Sequence, residues 1–85
     1  MNRQAALEDV GWEIIDNKLT KQFNFKDFNK AMTFVNKVSE VSEQNNHHPD
    51  IYISYNKVTF KLWTHTTGEI SEKDFNLALN IEEIS

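Results

Sequence analysis

Apolar residues recur with two different periods along this chain. Leu19, Phe23 and Phe25 share one parity against Thr20, Gln22 and Asn24. Successive side chains of an extended chain face opposite sides, so this alternation predicts a half-buried strand. Asp16-Asn17-Lys18 just before it is a turn signal. The apolar-rich run Trp12-Glu13-Ile14-Ile15 supplies a partner, and a hairpin is expected. After Phe25 the period lengthens. Phe28, Ala31, Phe34, Val35, Val38 and then Val41 or Ser42 recur at helical spacing, predicting a helix over about residues 27–44. Asp27 stands at its start, where a carboxylate suits the helix dipole. Asn45-Asn46 breaks the helix, and Pro49 keeps His48 out of the α region. His47-His48 therefore belong to a loop or an extended segment.

The alternating period then returns. Ile51, Ile53 and Tyr55 mark a third strand, Tyr55-Asn56-Lys57 a turn, and Val58, Phe60 and Leu62 a fourth strand alternating with Thr59, Lys61 and Trp63. Gly68 ends that run. Ser71-Glu72-Lys73-Asp74 resembles a capping box, with Asp74 in the place usually held by Glu or Gln. Phe75, Ala78, Leu79 and Ile81 or Glu82 follow as a helical stripe ending near Ile84. At the other end, residues 3–9 read as a short helix capped by Asn2 and ended by Gly11. The order α-β-β-α-β-β-α predicts an α+β fold: one domain over residues 1–85, a four-stranded antiparallel sheet, and helices packed on one face. Phe23/Phe25 and Val58/Phe60/Leu62 are expected to meet the stripes Phe28/Ala31/Val35 and Phe75/Ala78.

Composition narrows the class. A chain of 85 residues buries only about 60–65% of its unfolded surface. It has no cysteine, so neither disulfides nor thiolate metal sites supplement the core. Self-association is the expected supplement. Thirteen acidic and nine basic residues, a net charge of −4, argue against a direct nucleic-acid binder. The apolar runs are too short to span a membrane, and the N-terminus lacks the apolar stretch of a secretory signal. A cytoplasmic protein is expected.

The candidate chemistry lies in the three histidines, His47, His48 and His65. Imidazole is the side chain whose ordinary pKa lies near neutrality, so histidines point to acid–base work or metal binding. Adjacent residues of an extended segment face opposite ways, and no HxH or HExxH pair is present, so no metal is expected. A solvated polar loop is the plainest account of Asn45 to Pro49. Against it, all three histidines flank strand ends, where sites are built, and Trp63 and Thr64 set an aromatic wall and a hydroxyl beside His65.

The run Glu43-Gln44-Asn45-Asn46-His47-His48-Pro49-Asp50 resembles the signature of the pterin-4a-carbinolamine dehydratases, an acidic residue, three spacers and His-His-Pro. The likeness continues through Tyr55-Asn56-Lys57-Val58, Leu62-Trp63-Thr64-His65, Gly68-Glu69-Ile70-Ser71 and Asp74. Upstream, Gly11-Trp12, Phe23 to Phe28 and Ala31 also resemble the family, so the resemblance spans about residues 11–83. It implies dehydration of 4a-hydroxytetrahydropterin to quinonoid dihydropterin and water, in tetrahydrobiopterin recycling. It implies that His47, His48 and His65 are catalytic and that Glu43 supports them. Asp74 matches an acidic position of the family pattern, and Asn46 and Pro49 fall inside its signature. Trp63 and Thr64 are expected to frame the pterin, Thr64 bonding its amide edge. Pterin is the substrate, and no cofactor is expected. One departure is Ile51, where many members carry Trp; Trp63 is a candidate partial replacement.

The resemblance also implies a homodimer or homotetramer, and association with an aromatic amino acid hydroxylase. Animal members serve as dimerisation cofactors of a homeodomain transcription factor, a hepatocyte nuclear factor. Three readings follow: a dehydratase, a protein-interaction module, and a member acting on another pterin such as a molybdopterin-related compound. Intact His47, His48 and His65 favour the first.

Overall fold

The structure is a computed structural model, and it describes residues 2–85. Its elements run α1 (Arg3–Asp9), β1 (Glu13–Ile15), β2 (Lys18–Asn24), α2 (Phe28–Asn45), β3 (Asp50–Ser54), β4 (Lys57–Leu62) and α3 (Glu72–Ile84). The strands form one antiparallel sheet in the order β1-β2-β4-β3. Two sequence-local hairpins are thus joined through β2 and β4, with Leu19 opposite Leu62 and Phe23 opposite Val58. Asp16 and Asn17 both adopt positive φ at the first hairpin turn, a conformation that Asp and Asn tolerate better than other side chains.

Helix ends follow local chemistry. The Asn2 side chain accepts from Gln4 N at 2.9 Å, and the Asp27 side chain accepts from Lys30 N at 2.8 Å. The Asp74 carboxylate accepts from Ser71 N at 2.9 Å, so the Asp-for-Glu capping pattern closes as expected.

One core holds all layers together. Leu19, Phe23, Val58, Phe60 and Leu62 of the sheet meet Leu7 of α1, Ala31, Phe34 and Val38 of α2, and Leu77, Ala78 and Ile81 of α3. Phe34 centres an aromatic cluster, 5.1 Å from Phe23 and 5.9 Å from Phe60. Two expected contacts shift. Phe28 stays about half exposed, because Phe25 stacks on Phe34 at 5.2 Å and fills that end of the core. On α3 the buried stripe is Asp74, Leu77, Ala78 and Ile81, and Phe75 is only partly buried. A count of apolar residues alone misplaces this stripe, since one of its members is a carboxylate. Trp12, just ahead of β1, is buried in the core and donates from Nε1 to Glu82 Oε1 at 2.8 Å.

Candidate active site

Four element ends meet at one end of the sheet: the C-terminus of α2, the start of β3, the end of β4 and the N-terminus of α3. Between them lies a cavity of about 240 Å³, lined by Asn46, His47, His48, Trp63, Thr64, His65, Thr66 and Lys73. The three histidines, from segments 17 or more residues apart, therefore share one pocket.

Local structure delivers each one. Asn46 takes the left-handed conformation (φ 51), with Asn46 N bonded to Glu43 O and His47 N bonded to Ser42 O. This is the Schellman pattern, which reverses the chain at the end of α2 and turns His47 back toward the core. Pro49 then holds His48 extended at the entry to β3. On the other side, Thr64 pairs with Glu69 beyond the end of β4, so His65 stands in the tight loop between them.

Each imidazole has a carboxylate beside it, and the three pairs differ in strength. His47 Nε2 lies 2.5 Å from Asp74 Oδ1, with the histidine side chain largely buried and Asp74 wholly so. The other oxygen of Asp74 accepts from Thr64 Oγ1 at 2.9 Å and from Ser71 N at 2.9 Å. Thr64 Oγ1 also lies 2.5 Å from Ser71 Oγ. A buried carboxylate is stable only when its oxygens are so occupied. His48 Nε2 hydrogen-bonds Glu43 Oε2, but both side chains are more than half exposed. Such a pair is worth only about 0–1 kcal/mol and orients more than it stabilises. His65 Nε2 is 4.0 Å from Asp50 Oδ1, beyond hydrogen-bond reach.

The expected residues are thus placed as follows. His47, His48, His65, Asn46, Trp63 and Thr64 line the cavity, while Glu43 and Asp74 stand behind two of the histidines. Pro49 is not a lining residue; it sits between His48 and β3. Ile51, where an aromatic wall was in question, packs against the core, and Trp63 is the aromatic residue of the pocket. Sequence reasoning missed Asp50, Ser71, Thr66 and Lys73. For Asp50 a signal existed: it pairs with Lys61, whose parity Trp63 shares, so both lie on one face of paired strands. Among the described residues, no cluster of three His, Cys, Asp or Glu side chains has metal-binding geometry. His47 and His48 instead engage different carboxylates.

A family model described as pterin 4 alpha carbinolamine dehydratase matches residues 1–84. A protein of Picosynechococcus sp. is 49% identical over 73 residues, covering 86% of this chain and 79% of its own. One from Sulfolobus acidocaldarius is 43% identical over 77 residues, covering 91% and 85%. Both are provisionally named pterin-4-alpha-carbinolamine dehydratase. The crystal structure of a transcriptional coactivator/pterin dehydratase from Brucella melitensis is similar with a TM-score of 0.85 at 29% identity, covering 95% of this chain and 90% of that one. A pterin dehydratase-like protein identified as a RuBisCO assembly factor in the alpha-carboxysome shares the fold, with a TM-score of 0.70 at 20% identity over 86% of this chain and 84% of its own.

Proposed function

The chain belongs to the pterin 4 alpha carbinolamine dehydratase family, and from that premise we propose that it dehydrates a 4a-hydroxytetrahydropterin. The observation that carries this reading is the convergence of His47, His48 and His65 on one small cavity. At about 240 Å³ the cavity lies just below the usual range of ligand sites, which suits a bicyclic ring better than a dinucleotide.

In the reaction, the hydroxyl on the bridgehead carbon gains a proton and leaves as water. The adjacent ring N–H gives its proton to a base, and its electron pair forms the C=N bond. Both transfers need groups that titrate near neutrality, and imidazoles supply a donor and an acceptor without metal or cofactor. His47, with Nε2 committed to Asp74, keeps Nδ1 for proton exchange. Asp74 fixes that ring much as a buried carboxylate orients a catalytic histidine in hydrolytic triads. His48 and His65 are more exposed and line the same cavity, where the substrate meets them. Quinonoid dihydropterin is the product, consistent with recycling of a reduced pterin in the cytoplasm.

A stopped-flow dehydration assay tests this reading. The wild type accelerates water loss, and His48→Ala or His65→Ala slows it by roughly 10²-fold or more. If the double variant His48→Ala/His65→Ala works as fast as the wild type, the enzyme reading is abandoned. A second reading then gains, an interaction module acting on a transcription factor or an aromatic amino acid hydroxylase. What favours it is that the similar Brucella melitensis protein is a transcriptional coactivator as well as a pterin dehydratase by description, and that Tyr52, Ile53 and Tyr55 are exposed around the β3–β4 hairpin.

A further inference from the structure

His65 is the histidine whose own hydrogen bonds do not hold it. His47 and His48 each bond a carboxylate through Nε2. The ring of His65 makes no hydrogen bond among the described residues, and its side chain is 60% exposed in a tight loop. An exposed side chain in such a place changes rotamer within picoseconds to nanoseconds. A proton donor or acceptor needs a narrower range of positions than that.

What does touch the ring is Trp63. The two ring centroids are 4.1 Å apart, with planes inclined at 40°. Thr64, between Trp63 and His65, reaches inward to Asp74, and the two rings on either side of it pack on each other. The indole is itself fixed. Trp63 Nε1 donates to Asp50 Oδ2 at 2.8 Å, and the Lys18 ammonium lies 5.2 Å from the ring centroid. Strand register explains both contacts. Asp50 pairs with Lys61, two residues before Trp63, and Leu19 pairs with Leu62, so Lys18 falls opposite Trp63. The sheet thus sets a clamp around an indole whose face carries the imidazole.

We propose that Asp50 is a positioning residue for His65: its carboxylate pins the Trp63 indole, and the pinned indole holds the imidazole at the cavity. At 4.0 Å, Asp50 is too far to bond His65 directly, so its hold runs through the hydrogen bond to Trp63. As a statement about catalysis this rests on the dehydratase reading. As a statement about where the imidazole stands, it does not.

The test compares Asp50→Ala, Asp50→Asn and Trp63→Leu with the wild type, by NMR of the histidine ring protons and by stopped-flow dehydration. The stacked indole shifts the His65 ring protons upfield. That shift is lost in Asp50→Ala and Trp63→Leu, while the His47 resonances stay in place. Asp50→Asn keeps an acceptor for the indole N–H and retains the shift. In the assay, kcat falls by about tenfold in Asp50→Ala with little change in KM, kcat falls also in Trp63→Leu, and Asp50→Asn stays near wild type. Unmoved His65 resonances overturn the proposal. So does an Asp50→Asn variant that behaves like Asp50→Ala, because charge and not the hydrogen bond would then matter. A rise in KM alone in Asp50→Ala also overturns it, because Asp50 would then serve substrate binding and not the placement of His65. A wild type with no dehydration activity defeats the functional reading instead, and the proposal is then decided by the resonances.

Discussion

Asp74 bears the heaviest demand placed on any single side chain here. It is a wholly buried carboxylate that accepts from His47, from Thr64 and from the Ser71 amide at once. Replacing it with asparagine leaves one carbonyl oxygen to do the work of two. With that oxygen toward Thr64 and the Ser71 amide, the new N–H₂ faces His47 Nε2, which must give up its donor role or its bond, at about 1–3 kcal/mol. Urea unfolding of Asp74→Asn is expected to show a loss of that size, and dehydration to fall with it as His47 loses its anchor. Unchanged stability would mean that solvent replaces the lost bonds and that the network is not closed. The contrast with Glu43 is instructive. Its bond to His48 lies in solvent, so Glu43→Gln should leave stability within experimental error. From sequence, Asp74 is recognisable as a helix-capping residue and as a family position. Its second contact, to His47, is invisible because the two residues lie 27 apart in the chain.

At the level of elements, the end of α2 decides how the site forms. Asn46 is left-handed, and the reversal it makes carries His47 toward Asp74 and His48 toward Glu43. A β-branched residue is poorly suited to that conformation. Asn46→Val should cost roughly 1–3 kcal/mol and displace both histidines, whereas Asn46→Gly should keep the fold and most of the activity. Thermal unfolding and the dehydration rate, measured on both variants, check this; equal losses in the two would show that the backbone conformation is not the constraint. The sequence marks this place as a helix breaker followed by a proline-restricted residue. It does not specify which way the chain turns, since that depends on the amides of Asn46 and His47 finding the carbonyls of Glu43 and Ser42.

For the molecule as a whole, the sheet edges are where another chain can add. β1 and β3 are the edge strands, and Ile14 and Ile15 on one and Tyr52 and Ile53 on the other stay exposed. Unpaired edges with apolar side chains favour pairing with another chain. Light scattering at micromolar concentration is expected to give at least twice the 10.0 kDa chain mass. Ile53→Lys should shift the protein toward monomer if β3 is the edge used. A clean monomer in the wild type would remove self-association as a source of stability. No helix among the described residues is long and apolar enough to cross a membrane.

The sequence by itself determined the order of elements, the antiparallel pairing within each hairpin, the helix caps and the identity of the three histidines. Each of these rests on local rules: side-chain period, turn chemistry and hydrogen bonds that reach only a few residues. The tertiary structure decided the rest. It joined the hairpins through β2 and β4, left Phe28 about half exposed while Phe25 packed as expected, and set the α3 stripe on Leu77 rather than Phe75. It also chose the carboxylate beside each histidine: Asp74 for His47, Glu43 for His48 and Asp50 for His65. Glu43 lies close to His48 along the chain and is legible there. Asp74 bonds His47, and Asp50 bonds the indole beside His65, only after strands and helices have packed, because a contact between distant residues is set by how whole elements dock.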